Sequence, residues 1–385
     1  MNYRVPRTLD TGWCCGSTRH RPWSAAFSGP LREPCMTFTA FLHHLLFCAA
    51  LAGLSAMIVR IMITVRVMDQ PDLRKAHSIA TPKGGGVGIV VAFLAGLLAL
   101  YSWADFSRIA DPYFRGVMIA SVAIASVSMI DDIRSRSFTV KLGTQILAAL
   151  TVVASGLSLR DPNLPFIGPV SLGWIAPIAS LMWLIFATNA MNFIDGLNGL
   201  ASGVSLIACL FLAWIAQEQG GYFIYFAALL LASGIAGFLP FNFPKARIFM
   251  GDVGSQFCGF VLAMLGIAAS RFDNVDMSFL LVPMLLSGVL FDVAFTLIRR
   301  GLNGENVTAA HRGHLYQVAS RSGVSREAVT LIHWGFVVLG GCACLLFMQA
   351  GPSGKLLIPA LLLVPQLIWL GCVVLAARKH GTSWR

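Results

Sequence analysis

Four short polar segments interrupt an otherwise apolar chain. They are Asp131-Asp132, the run from Asn189 through Asn192 and Asp195 to Gly196, the run Phe249-Met250-Gly251-Asp252, and His311-Arg312-Gly313-His314. Acidic residues number only 17 in 385, and hydrocarbon penalises each one placed near it. Carboxylates and side-chain amides are hard oxygen donors that suit Mg²⁺, an ion that takes few protein ligands and completes its shell with water and substrate phosphates. Arg and His add donors for phosphate. Gathered at one surface, these groups describe a metal-dependent site where lipid meets cytosol.

Spacing refines the roles and leaves alternatives. Asn189 and Asn192 stand i, i+3 and share a helix face. Gly196 and Gly199 then break the helix, leaving Asp195 and Asn198 on a turn that reads either as a ligand loop or as a polar, Asn-capped turn. Asp131 and Asp132 point about 100° apart on a regular helix, too far to chelate one ion together. One is expected to face reacting phosphates and the other to orient Lys141 or backbone; a solvated helix end is the plainer reading. Asp252 opens a span, where it reads as a metal ligand or as an N-cap. Asn242 is a further polar candidate for substrate, and Phe249 is expected to be exposed, stacked on a base or anchoring the interface.

The first polar loop carries Arg74, Lys75, His77 and Lys83 before Gly84-Gly85-Gly86. These are phosphate donors beside backbone N–H groups that can approach an anion, or a charge cluster beside a helix-packing glycine run. His311 and His314 lack a third N/S ligand for zinc, and Arg312 would repel a dication, so phosphate contacts fit better. Asp292 is expected to pair with Arg299 or to steer this loop.

The elements that position these residues follow from composition. Hydrophobic residues make up 57% and charged residues 12%, against about a quarter charged in a soluble domain. The fold class is therefore all-α, a polytopic transmembrane helical bundle of about 10–11 spans. Candidate spans are 40–63, 84–104, 114–130, 141–159, 174–190, 199–216, 222–240, 254–270, 279–298, 331–350 and 355–377. The net charge of +11 is concentrated in alternate loops, which argues for the positive-inside rule and against nucleic acid. That rule puts every polar segment on the cytoplasmic side. Residues 1–35 carry five Arg among Pro, Gly, Ser and Cys without an apolar h-region, and read as a disordered or mis-started extension. Residues 36–385 read as one integral-membrane domain.

The ordered motifs Asp-Asp, Asn-x-x-Asn-Phe-x-Asp-Gly-x-Asn-Gly, Phe-Met-Gly-Asp-x-Gly-Ser and His-Arg-x-His resemble the polyprenyl-phosphate N-acetylhexosamine-1-phosphate transferases. The resemblance implies a bacterial cytoplasmic-membrane enzyme with its site facing the cytosol. The implied cofactor is Mg²⁺, with Mn²⁺ as a substitute, and the implied reaction is transfer of sugar-1-phosphate from a UDP-N-acetylhexosamine to undecaprenyl phosphate with release of UMP. It implies Asn192 and Asp252 as metal ligands, Asp131 with Lys141 for deprotonating or positioning the lipid phosphate, Asn198 and Phe249 at the uracil, and His311, Arg312 and His314 on the pyrophosphate. Residue chemistry adds Asp132 to the catalytic candidates and Lys75, His77, Lys83, Asn189, Asp195 and Asn242 to those for substrate binding. The form His311-Arg312-Gly313-His314-Leu315-Tyr316-Gln317 is similar to enzymes that begin O-antigen and other surface polysaccharides; the alternative is the phospho-N-acetylmuramoyl-pentapeptide transferase of cell-wall synthesis. A homodimer is compatible with the sequence. A transporter would place ionisable residues at mid-membrane on broken helices, whereas here only Asp292 lies inside a span. A non-catalytic lipid binder has no need of the paired Asp.

Overall fold

The computed structural model describes residues 37–69, 80–103, 111–134, 138–159, 163–164, 168–271, 277–309 and 311–384. Lys75, His77 and the segment 1–35 lie outside the described residues. The chain divides into two compact units, Met1–Ala50 and Leu51–Arg385, with the boundary inside the first helix. All of the chemistry described below belongs to the second unit.

Fourteen α-helices follow one another among the described residues: α1 Phe38–Val65, α2 Gly86–Trp103, α3 Asp111–Ile133, α4 Phe138–Ala154, α5 Ala176–Phe193, α6 Leu200–Glu218, α7 Tyr222–Asn242, α8 Gly251–Ala269, α9 Leu281–Leu285, α10 Ser287–Leu302, α11 Leu315–Arg321, α12 Arg326–Gln349, α13 Pro352–Leu361 and α14 Leu363–His380. Two two-residue hairpins complete the picture, Met68–Asp69 with Thr81–Pro82 and Asn163–Leu164 with Gly168–Pro169. A helix closes every backbone hydrogen bond within its own segment, so long Leu/Ala/Gly runs take this form where no water is available.

Eight helical segments are long and apolar enough to cross a membrane, and Gly86–Ser102 and Thr139–Ala154 are shorter apolar helices. These ten match ten of the eleven expected spans. The eleventh, 279–298, is not continuous: it splits into α9 and α10, with Leu286 between them at φ −91° and ψ 13°. The last span also steps, at Leu362. Pro365 has no N–H to give the Leu361 carbonyl, which removes the bond that would have carried the helix through.

Helix α8 is the hub: 94% of its apolar window is buried, and it packs against α2, α3 and α5. Close approach depends on small residues. A Cβ on Gly86 would lie 2.3 Å from the Gly254 Cα. The N–H groups of Gly85 and Gly86 donate to the carbonyls of Phe249 and Met250, each at 2.9 Å. Of the two readings of the glycine run, helix packing is the one found: the Gly85 and Gly86 donors are taken by the segment that leads into α8, and the missing side chains let α2 and α8 meet.

Candidate active site

Folding brings the C-terminal ends of α3, α5 and α7, the N-terminal end of α8 and the α11–α12 turn to one cavity of about 860 Å³. Its lining includes Lys83, Asp131, Asp132, Asn192, Asp195, Asn198, Asn242, Phe249, Asp252 and Arg312 from the candidates above, joined by Tyr316, Gln317, Arg321 and Arg326.

Lys141 is not among the lining residues but bridges two carboxylates that are. Its Nζ lies 2.5 Å from Asp131 Oδ2 and 2.7 Å from Asp252 Oδ2, so one ammonium ties α3 to α8. Asp132 does the other task foreseen for the pair. Its two carboxylate oxygens accept the backbone N–H groups of Asp252 and Val253 at 3.2 and 3.1 Å, and Lys83 Nζ stands 3.7 Å away. Asp132 thus satisfies the first-turn donors of α8 from another helix. Asp252 is consequently not the N-cap: Met250 holds that position without a side-chain bond, which leaves the Asp252 carboxylate to the cavity. Gly251 makes this junction possible. It takes φ +75°, and a Cβ there would lie 2.5 Å from Asp132 Oδ2.

The α5 end behaves unevenly. Asn192 Oδ1 accepts the Ser255 hydroxyl at 2.7 Å, which fixes that oxygen at the cavity wall. Asn189, expected at the substrate, is turned inward instead. Its amide donates to Gln145 Oε1 at 2.7 Å and to the Ile185 carbonyl at 2.8 Å; a side-chain amide at a membrane helix end finds a partner in the neighbouring helix rather than stay unsatisfied. Asp195 faces the cavity, and burial, then the charges of Asp252 and Asp132, push its carboxyl well above the usual carboxylate range.

Asn198 donates to the Pro244 carbonyl at 3.1 Å, and Asn242 is buried, accepting from Gly199 N at 2.7 Å and donating to the Ile248 carbonyl at 3.0 Å. Asn242 thus holds the 196–199 turn and the 243–250 loop together at the cavity wall. Phe249 is half-buried rather than exposed, because its backbone N–H donates to Pro82 O at 2.8 Å and pins it against the first loop.

The last loop is built around Asp292, which is 1% exposed. Its carboxylate accepts Leu315 N at 2.9 Å and Tyr316 N at 3.1 Å, and His314 Nδ1 lies 3.1 Å away. Of the two roles foreseen for Asp292, steering the loop is the one found; Arg299 instead donates to the Trp384 carbonyl. His314 is buried and stacks on His311 at 4.8 Å between ring centroids. Neither histidine is among the residues lining the cavity, whereas Arg312 between them is. Gly313 N donates to His311 Nδ1 at 3.1 Å, and burial, then the charges of His314, Arg300 and Arg299, pull the His311 pKa down to about 4. The Tyr316 hydroxyl donates to the Phe193 carbonyl at 2.9 Å, joining α11 to the Asn192 end of α5.

Two buried residues escaped sequence reasoning: Gln145 and Gln256, at 2% and 3% exposure. The signal was present, since each is an amide inside an apolar helix and needs a partner there. For a cation, no cluster of three or more His, Cys, Asp or Glu side chains with metal-holding geometry occurs among the described residues. The oxygens of Asp252 and Asn192, beside the mutually repelling Asp132 and Asp195, nonetheless make a hard, anionic donor set.

The description "Glycosyl transferase family 4" matches residues 114–270, which hold the α3, α5 and α8 motifs. A Bacillus subtilis (strain 168) protein named "Probable undecaprenyl-phosphate N-acetylglucosaminyl 1-phosphate transferase" is 31% identical over 74% of this chain and 78% of its own length. The "Decaprenyl-phosphate N-acetylglucosaminephosphotransferase" of Mycobacterium tuberculosis (strain ATCC 25618 / H37Rv) is 28% identical over 81% and 86%. The "Undecaprenyl-phosphate alpha-N-acetylglucosaminyl 1-phosphate transferase" of Thermotoga maritima is 29% identical over 66% and 73%. Motifs, bundle and relatives agree: the chain belongs to glycosyl transferase family 4, the polyprenyl-phosphate N-acetylhexosamine-1-phosphate transferases.

Proposed function

We propose that this protein transfers N-acetylhexosamine-1-phosphate from a UDP-sugar to undecaprenyl phosphate at the cytoplasmic face of a bacterial inner membrane, beginning a surface polysaccharide such as O-antigen. An oxygen of the lipid phosphate forms a bond to the sugar-bearing phosphorus, the bond from that phosphorus to the UMP phosphate breaks, and UMP leaves. Such a transfer needs alignment and charge neutralisation more than covalent chemistry by the protein.

The observation that carries this reading is Lys141 bridging Asp131 and Asp252, two carboxylates that line the cavity. It joins the α3 carboxylate, suited to positioning the lipid phosphate or taking its proton, to the α8 carboxylate suited to a cation. Asp252 and Asn192 would hold Mg²⁺ or Mn²⁺, which supplies neutralisation of the pyrophosphate when bound. Lys141 and Arg312 offset the charge that spreads over the transferring phosphoryl group. Asn198 and Phe249 line the cavity where a uracil would seat, one offering an amide edge and the other a ring face. Arg312, Tyr316 and Gln317 place the His-Arg-x-His-Leu-Tyr-Gln segment at the same cavity. That form departs from the peptidoglycan type and favours a simple UDP-N-acetylhexosamine over the muramoyl-pentapeptide donor, as do the N-acetylglucosamine names of the relatives.

UMP release from UDP-N-acetylglucosamine by the purified protein, with and without undecaprenyl phosphate, tests this directly. Release is expected only with the lipid, and EDTA or Asp252→Ala should remove it. Transfer from UDP-MurNAc-pentapeptide, with none from UDP-N-acetylhexosamines, would establish the cell-wall reading instead.

A further inference from the structure

Behind Asp252 lies a connected set of amides, with Gln145 and Gln256 buried and Asn189 half-buried. Asn189 spends its two N–H donors on Gln145 Oε1, at 2.7 Å, and on the Ile185 carbonyl, at 2.8 Å. Gln145 Nε2 in turn donates both to Gln256 Oε1 at 3.1 Å and back to Asn189 Oδ1 at 3.3 Å. With its oxygen held by Gln145, Gln256 can present only Nε2 forward, and it donates to Asp252 Oδ2 at 3.2 Å. Gln256 stands one helical turn after Asp252 on α8, while Gln145 comes from α4 and Asn189 from α5. Each of these amides would be costly in an apolar bundle without its partners.

We infer that Gln256, oriented by Gln145, is a positioning residue for Asp252. The inference deepens the proposed function, since it rests on Asp252 being the cation-facing carboxylate. Gln256 and Lys141 both donate to Oδ2, so that oxygen is locked as an acceptor of the protein's own donors. The carboxylate plane is thereby fixed, and Oδ1 is the oxygen aimed at the incoming cation. Neither Gln touches substrate; they act through Asp252, as outer-shell partners do around metal ligands. Lys141 by itself would leave the carboxylate pivoting about a single point charge. The amide adds a second, directional contact, and with it a defined orientation.

The test measures binding of Mn²⁺ alone, by loss of the free-ion electron paramagnetic resonance signal, to the full chain in detergent without either substrate. Gln256→Met keeps the volume and removes the donor; it should weaken Mn²⁺ binding about 10-fold, the lower end of outer-shell effects. Gln145→Met leaves Gln256 present but unheld and should weaken binding by less. The double variant should match Gln256→Met, because both act through one contact. A purely structural role would lower the thermal midpoint and leave the Mn²⁺ affinity of the folded protein unchanged, which would overturn the inference. Should Gln256→Met not fold, the Gln145→Met affinity decides: unchanged binding overturns the inference. Asp252→Ala separates the two levels of the argument. If it abolishes binding while the Gln variants do not matter, only this inference fails; if Asp252→Ala itself binds normally, the metal reading fails and takes the inference with it.

Discussion

Asp292→Ala offers a stringent test of how the 311–317 loop is held. The wild-type carboxylate is 1% exposed and accepts the N–H groups of Leu315 and Tyr316, at 2.9 and 3.1 Å. Truncation leaves both donors buried with no acceptor, at about 1–3 kcal/mol each. The Thr296 hydroxyl, 3.2 Å away, can rotate to another acceptor, and His314 can exchange tautomer, so these two add little. The expected loss is about 4 kcal/mol of local stability, close to three decades in an opening equilibrium at about 1.36 kcal/mol per decade. Hydrogen exchange with mass spectrometry on the full chain should therefore show protection of the 314–321 amides falling about a thousandfold, with α8 unchanged. kcat/KM should fall with it, since Arg312 and Tyr316 line the cavity from this loop. A loss of protection below tenfold would refute the argument, because it would mean the two donors find other acceptors and Asp292 does not hold the loop.

Three further outcomes follow from the geometry. Lys141→Met leaves the Asp131 and Asp252 carboxylates facing one another without their shared cation; kcat/KM should drop about 100-fold, roughly 3 kcal/mol of transition-state stabilisation, and a drop under tenfold in folded protein would contradict the bridge. Gly251→Ala forces φ +75° on a residue whose Cβ would meet Asp132 Oδ2 at 2.5 Å; it should cost about 2–3 kcal/mol in strain and displacement, read as a lower thermal midpoint together with lost turnover. His311 has a folded pKa of about 4 against an ordinary 6.5, so between those values the unfolded chain binds more protons. Its contribution to stability is full above pH 6.5 and is lost as pH falls toward 4, and His311→Asn should flatten the thermal midpoint across that window; an unchanged slope would place the histidine in water.

How much of this was legible in sequence depended on the kind of information involved. The bundle was readable because a membrane span demands a continuous apolar run, and ten of the eleven expected spans appear as helices. The interruption at Leu286 was not readable, since α9 and α10 are both apolar and their break lies in two backbone angles. The polar motifs were readable for the reason that makes them costly: carboxylates and amides at span ends need partners.

What the motifs were for was decided by contacts across the chain. Asp131 and Asp132 are chemically identical neighbours, and only the position of α8 gives Lys141 to one and the backbone donors of Asp252 and Val253 to the other. Asn189 and Asn192 share a helix face, yet Gln145 draws the first into the bundle while Ser255 fixes the second at the cavity. Asp252 read as a metal ligand or as an N-cap in sequence, and the structure decides between them because Asp132 takes the capping donors from another helix. Sequence alone determined the fold class, the family motifs and the set of residues rich enough in chemistry to matter. Tertiary structure alone decided which oxygen or nitrogen is already spent on the protein, because a hydrogen bond is set by distances of about 3 Å between helices that lie more than a hundred residues apart in the chain.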